Sequence, residues 1–257
     1  MKMAISGKGG VGKTTVAAFF IKALAEEGFK VLAIDADPDA NLAHALGLGS
    51  NVRITPISQM KELIEERTET KLGGFGGFFK LNPKVDDLPD SLGLKAMDNV
   101  RLLVMGGVKK GGSGCVCPES TLLKNLVRHI VLQRDEAVVM DMEAGLEHLG
   151  RGTAGSVDIL LIVVEPGKRS IETAREIKRL AGDVGIKNLM VIGNKIRDSQ
   201  EETFLRQELE DFNLLGFIPY SQEIAKADLE SKAPFVLDEN GLIIVKRMLE
   251  QIRQKTK

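Results

Sequence analysis

The sequence predicts a doubly wound α/β fold, a mostly parallel sheet with helices on both faces. Three observations lead there. Short runs of Val, Ile, Leu and Ala are apolar at nearly every position, which suits strands covered on two sides. Stretches with an apolar stripe at helical spacing alternate with those runs, the order expected of successive β-α units. A glycine-rich turn joins the first run to the first helical stretch, and such sheets place their ligands at the carboxyl ends of the strands.

In chain order the strands are expected at 2–6 (KMAIS), 30–35 (KVLAID), 100–106 (VRLLVMG), 136–142 (EAVVMDM), 157–165 (VDILLIVVE), 188–195 (NLMVIGNK) and 214–220 (LLGFIPY). A first helix over 13–28 closes at Gly28, a residue suited to a left-handed C-cap. Residues 48–99 are irregular, and the glycines and prolines of LGGFGGFFKLNPKVDDLPD predict loops inserted between strands, not a linker. The chain 1–257 therefore reads as a single domain of ordinary size for this class. In ESTLLKNLVRHIVL, Leu122, Leu126 and Ile130 form an apolar stripe with Leu123, Val127 and Val131 beside it. In RSIETAREIKRLAG the stripe is Ile171, Ala174, Ile177 and Ala181, and its basic residues alternate with Glu172 and Glu176, a solvated face. GLIIVKRMLEQIRQKTK at the end has two readings. It is a terminal helix packing Leu242, Val245, Leu249 and Ile252 on the fold, or a basic amphipathic stretch for anionic lipid. The first is preferred, with no stable membrane association.

Composition narrows the function. Hydrophobic residues make up 43% and charged residues 28%, which supports a sizeable core. One tyrosine and no tryptophan leave little for base stacking, and a net charge of -1 argues against holding nucleic acid by bulk electrostatics. No nucleic-acid partner is expected. The apolar run at 159–164 is too short to span a bilayer, and the first residues lack the apolar stretch of a signal peptide. The expected location is cytoplasmic, where thiols stay reduced.

ISGKGGVGKTT carries the chemistry. Gly7, Gly12, Lys13 and Thr14 satisfy G-x-x-x-x-G-K-[ST] after a strand and before a helix, the signature of a P-loop NTPase. Backbone N–H groups across Gly7, Lys8, Gly9, Gly10, Val11 and Gly12 can turn inward around phosphate oxygens, and the helix dipole adds positive potential. Lys13 should contact the β- and γ-phosphates, Thr14 ligate Mg²⁺, and Thr15 meet the α-phosphate. Asp141, ending an apolar strand, can hold the Mg²⁺ shell. Asp37, in IDADPDAN, is expected to orient the attacking water and to join the Mg²⁺ set. Asp35, Asp39 and Asn41 beside it also suit turn and capping roles. Asn194 can read the adenine edge with one donor and one acceptor, or cap the core. ATP and Mg²⁺ are the implied ligands.

Lys8 exceeds what a basic phosphate loop needs. GKGGVGKTT resembles the deviant Walker A motif of the MinD/ParA/nitrogenase-iron-protein group of dimerising ATPases. That resemblance implies a homodimer in which Lys8 reaches the partner's phosphates. Lys8, Lys13 and Asp37 would then be the catalytic set, with Asp37 in switch I and Asp141 opening switch II. A cation supplied this way is worth on the order of 10³–10⁵ in rate by analogy with arginine fingers. Glu143, Glu147 and His148 would lie in switch II, placed to relay nucleotide state.

The only two thiols, Cys115 and Cys117, stand one residue apart in GGSGCVCPES. They make half of a tetrahedral or square-planar sulfur site, which a two-fold dimer could complete. Burial as two small apolar residues is awkward in a glycine-flanked loop. The chain resembles the CooC-type accessory ATPases of carbon monoxide dehydrogenase maturation. The resemblance rests on GKGGVGKTT, IDADPDANLAHALGL, LNPKVDDLPD, MGGVKKGGSGCVCPE and VVMDMEAGLEHLGRGTA. It implies ATP-driven delivery of nickel to that dehydrogenase, with Cys115 and Cys117 as the shared metal site. Zn²⁺ competes with Ni²⁺ for such ligands. Two other readings stand beside it: a MinD/ParA-like positioning or partition ATPase, and a carrier holding a [4Fe–4S] cluster on four thiols.

Overall fold

The computed structural model describes residues 1–49, 52–70, 78–106, 118–133, 136–146, 149 and 157–255. Cys115, Cys117, Glu147 and His148 lie outside the described residues. From the N-terminus, β1 (Lys2–Gly7) leads into α1 (Lys13–Glu26), then β2 (Val31–Ala36), α2 (Leu42–Ala45) and a 3₁₀ turn (Ile57–Gln59). α3 (Lys61–Thr68), α4 (Leu88–Leu92), β3 (Leu94–Met97) and β4 (Val100–Val104) follow. α5 (Pro118–Gln133), β5 (Ala137–Met142), β6 (Ile159–Val164), α6 (Lys168–Val184) and β7 (Leu189–Ile196) form the middle of the chain. The last elements are α7 (Ser199–Glu208), β8 (Leu214–Pro219), α8 (Gln222–Leu229), α9 (Pro234–Leu237) and α10 (Glu239–Lys255).

The eight strands form one sheet in the order β3-β4-β2-β5-β1-β6-β7-β8. Every pairing is parallel except β3 with β4. All seven expected strands are present within one or two residues of their predicted ends. Alternate residues of each strand feed separate cores, as a period of two requires. Met3, Ile5, Leu161 and Val163 pack with α1 and α10 on one face. Ala4, Leu160, Ile162 and Val164 pack with α5 and α6 on the other. Leu122, Leu123, Leu126, Val127 and Ile130 supply the buried stripe of α5, and Ile171, Ala174, Ile177 and Ala181 that of α6.

α1 ends as expected: Gly28 adopts φ 87°, and the Phe29 N–H reaches back to the Leu24 carbonyl at 3.1 Å, closing a left-handed cap. α10 turns Val245, Met248, Leu249 and Ile252 into the core, with Leu242 half-buried. Lys246 pairs with Glu26 at 2.6 Å and Arg253 pairs with Glu27. The apolar stripe that would serve a lipid surface is thus spent on α1, as the terminal-helix reading expects. No helix among the described residues is long and apolar enough to cross a membrane.

The stretch 48–99 differs from the loops expected there. It holds the 3₁₀ turn, α3, α4 and the antiparallel edge strand β3. These elements are short and mostly solvated; α3 buries only Ile64 and Thr68, which leaves little periodic signal. β3 turns into β4 across Asp98 and Asn99, with Asn99 at φ 60°, the left-handed geometry tight hairpins favour.

Candidate nucleotide site

The loop from Gly7 to Gly12 sits at the carboxyl edge of the sheet, between β1 and α1. Two glycines there are dictated by close approach. A Cβ on Gly7 would lie 2.4 Å from the Val163 carbonyl oxygen of the neighbouring strand. On Gly12, at φ 93°, it would lie 2.4 Å from the Asn194 amide nitrogen. Val11 is fully buried beneath the loop. Gly9, Gly10, Gly12, Lys13, Thr14 and Thr15 line a cavity of about 760 Å³, with Asp37 and Glu143 on the same wall. Lys8 is not among its lining residues, and among the described residues it makes no ion pair.

Acidic residues close the phosphate end. Asp141 and Asp35 stand side by side in the β2–β5 register, and both are fully buried. Asp35 is consumed by the fold: its carboxylate accepts the N–H of Asp37 at 3.2 Å and of Leu42 at 2.8 Å. It therefore shapes the turn that carries Asp37. Burial pushes the Asp35 carboxyl up to about 6, opposed by those backbone donors. Among the described residues, the Thr14 hydroxyl alone bears on the Asp141 carboxylate as a donor, and neither oxygen has a partner at ordinary hydrogen-bond geometry. Burial pushes its carboxyl up to about 7; the nearby Thr14 hydroxyl opposes that rise and the Asp35 charge adds to it. A buried carboxylate with so little donor support needs a proton or a cation, so Asp141 with Thr14 fits a hard divalent ion such as Mg²⁺. Asp37 faces Lys13, its Oδ2 3.9 Å from the Lys13 ammonium, and Oδ1 accepts the Asp39 N–H at 3.0 Å.

Asn194 is 5% exposed, and its amide nitrogen donates to the Val11 carbonyl at 2.8 Å. One of its amide hydrogens thus supports the loop. Lys195 and Glu165 had no expected role, yet the Lys195 ammonium reaches the Gly10 carbonyl and lies 3.4 Å from Glu165 Oε2. The available signal was an Asn-Lys pair closing an otherwise apolar strand. The same cavity is also lined by Pro219, Tyr220 and Ile224, apolar surface of the kind a base needs. Among the described residues no cluster of His, Cys, Asp and Glu could hold a metal ion by itself. α5 begins at Pro118, the residue after Cys117.

This is the geometry of a P-loop nucleotide-binding domain, with the ligand edge where a doubly wound sheet places it. The chain belongs to the CobQ/CobB/MinD/ParA nucleotide-binding domain family, whose sequence model matches residues 2–235, and within it to the CooC-type ATPases. It is 48% identical over 235 residues to the carbon monoxide dehydrogenase accessory protein CooC of Rhodospirillum rubrum, covering 89% of this chain and 87% of that one. An uncharacterised ATP-binding protein of Methanocaldococcus jannaschii is also 48% identical, over 98% of this chain and 97% of its own. Among solved structures, the MinC:MinD cell division complex of Aquifex aeolicus superposes with a TM-score of 0.68 at 22% identity. That match covers 98% of this chain and 96% of that chain, a likeness of fold.

Proposed function

We propose that the chain is a Mg²⁺-dependent, dimerising ATPase that carries a divalent metal, nickel, on Cys115 and Cys117 shared between two copies. ATP turnover drives insertion of that metal into carbon monoxide dehydrogenase. The observation that carries this reading is the 48% identity to the Rhodospirillum rubrum accessory protein over most of both chains. The relation brings the client and the cargo to this chain as a proposal.

The residues divide the work as follows. N–H groups of the loop and the Lys13 ammonium bind the phosphates, and Thr15 meets the α-phosphate. Thr14 and Asp141, with Asp37 beside them, would hold Mg²⁺, which when bound neutralises charge across the β- and γ-phosphates. Asp37 orients the attacking water by accepting its hydrogen bond. Lys8 stands apart from its own cavity and contributes its charge to the partner's nucleotide. Asn194 and the apolar surface of the cavity receive the base. Two Cys-x-Cys pairs supply four thiolates to the cargo, and the start of α5 favours the ionised form at Cys117. Nucleotide and cargo are coupled because both need the same two-fold assembly. The protein acts in the cytoplasm, with no nucleic acid and no stable membrane association.

The test uses nickel-free carbon monoxide dehydrogenase. The nickel-loaded protein with ATP should activate it, and Lys8→Ala or Cys115→Ser/Cys117→Ser should not. Activation no better than that of free Ni²⁺ at equal concentration would reject the assignment. A brown anaerobic preparation with cluster absorption would instead support the iron–sulfur carrier.

A further inference from the structure

Successive residues of a strand normally face opposite sides of the sheet. Asn194 and Lys195, at the end of β7, both face the phosphate loop. The β7–β8 register shifts between Gly193 and Ile196, and Lys195 sits at φ 60°, a conformation costly for a residue with a Cβ. Such strain persists where the surroundings enforce it. Here the bulge puts Asn194 on the Val11 carbonyl at 2.8 Å and the Lys195 ammonium on the Gly10 carbonyl. Glu165 Oε2 lies 3.4 Å from that ammonium. The Glu165 N–H is itself held by the hydroxyl of buried Ser170 at 3.1 Å, so the carboxylate stands on a fixed backbone.

The Gly10–Val11 peptide is therefore gripped at both ends. Lys195 takes its carbonyl, and its N–H meets the Lys8 carbonyl at 3.4 Å, closing the turn that carries Lys8. A planar trans peptide keeps C=O and N–H pointing opposite ways, so fixing one fixes the other.

We propose that Lys195, oriented by Glu165, is a positioning residue that sets the Lys8-bearing turn and so presents Lys8 toward a partner's nucleotide. The inference rests on the reading of Lys8 as a cation supplied between copies. Lys13 and Thr14 begin α1 and are not part of this grip, so its loss should weaken phosphate binding within one chain far less than it weakens turnover and dimerisation.

Lys195→Asn removes the amine while keeping a residue that tolerates the left-handed region. Lys195→Arg restores a cation, and Glu165→Gln removes the orienting charge. ADP affinity by calorimetry is compared with kcat and with dimerisation driven by a non-hydrolysable ATP analogue. Lys195→Asn should lower kcat and the dimer fraction about tenfold while ADP Kd stays within about threefold. Lys195→Arg should recover most of the loss, and Glu165→Gln should fall between. Equal losses of ADP affinity and kcat, or no loss in either, would overturn the inference. Lys8→Ala run in parallel separates the two levels. Normal turnover in Lys8→Ala sinks the trans lysine itself, whereas wild-type behaviour of Lys195→Asn beside a dead Lys8→Ala overturns only this positioning role.

Discussion

Asp141 lies near the end of β5 with both oxygens buried and, among the described residues, only the Thr14 hydroxyl beside them as a donor, its carboxyl pushed up by burial to about 7 from an ordinary 3.8. A carboxyl raised on folding binds more protons in the native state than in the unfolded one between those two values. Stability then falls as pH rises through that window, and the cost is fully present above it. Ligand-free protein should lose stability from about pH 5.5 to about pH 8 relative to Asp141→Asn, which stays neutral throughout. Asp35, raised to about 6, titrates in both proteins, so the comparison isolates Asp141. Denaturant midpoints at both pH values check this; a wild type that gains stability relative to Asn across the window would contradict it. Lys13→Ala, which removes the loop's own cavity-facing ammonium, should weaken nucleotide binding by a hundredfold or more, about 3 kcal/mol; retained affinity in calorimetry would mean the phosphates sit elsewhere. Lys13 and Thr14 stood out in sequence because a fixed spacing between strand and helix admits few alternatives, and Asp141 because a carboxylate near the end of an apolar strand is conspicuous. Asp35 was harder to read, because its partners are backbone N–H groups two and seven residues away. Lys195 was missed because its role depends on a bulge that sends two successive side chains the same way.

At the scale of elements, the buried strands were readable because each is apolar on both faces, and the registers keep Asp35 and Asp141 adjacent at the carboxyl edge. The segment between β2 and β4 was not, since α3, α4 and β3 are short, half-solvated pieces held by contacts distant in sequence. Arg67 and Asp87, for example, tie α3 to the turn before α4 at 2.7 Å. α7 offers a cleaner local test. Asp198 caps it by accepting the N–H groups of Gln200 and Glu201, both at 2.9 Å, and Glu201 returns a carboxylate to the Arg197 N–H at 2.7 Å. Asp198→Ala should cost about 1 kcal/mol in urea unfolding and leave nucleotide affinity unchanged. A neutral result would mean that packing of Leu205 alone holds the helix.

For the whole molecule, the proposed chemistry needs two copies to meet. Each chain holds one phosphate cradle, one lysine that does not line that cradle's cavity and one pair of thiols, and in the proposed chemistry none of these suffices alone. Symmetry makes such an interface self-complementary, so the loop bearing Cys115 and Cys117 would meet its own copy. The sequence made that pairing thinkable through two neighbouring cysteines and one extra lysine; it could not reveal the contact, because an interface between copies leaves no periodic signature in one chain. The most direct measurement is size-exclusion chromatography with light scattering and metal analysis, after loading with Ni²⁺ and an ATP analogue. The prediction is one nickel for every two chains, travelling with the dimer and absent from Cys115→Ser/Cys117→Ser. One nickel per chain on a monomer, unchanged in that double variant, would contradict it.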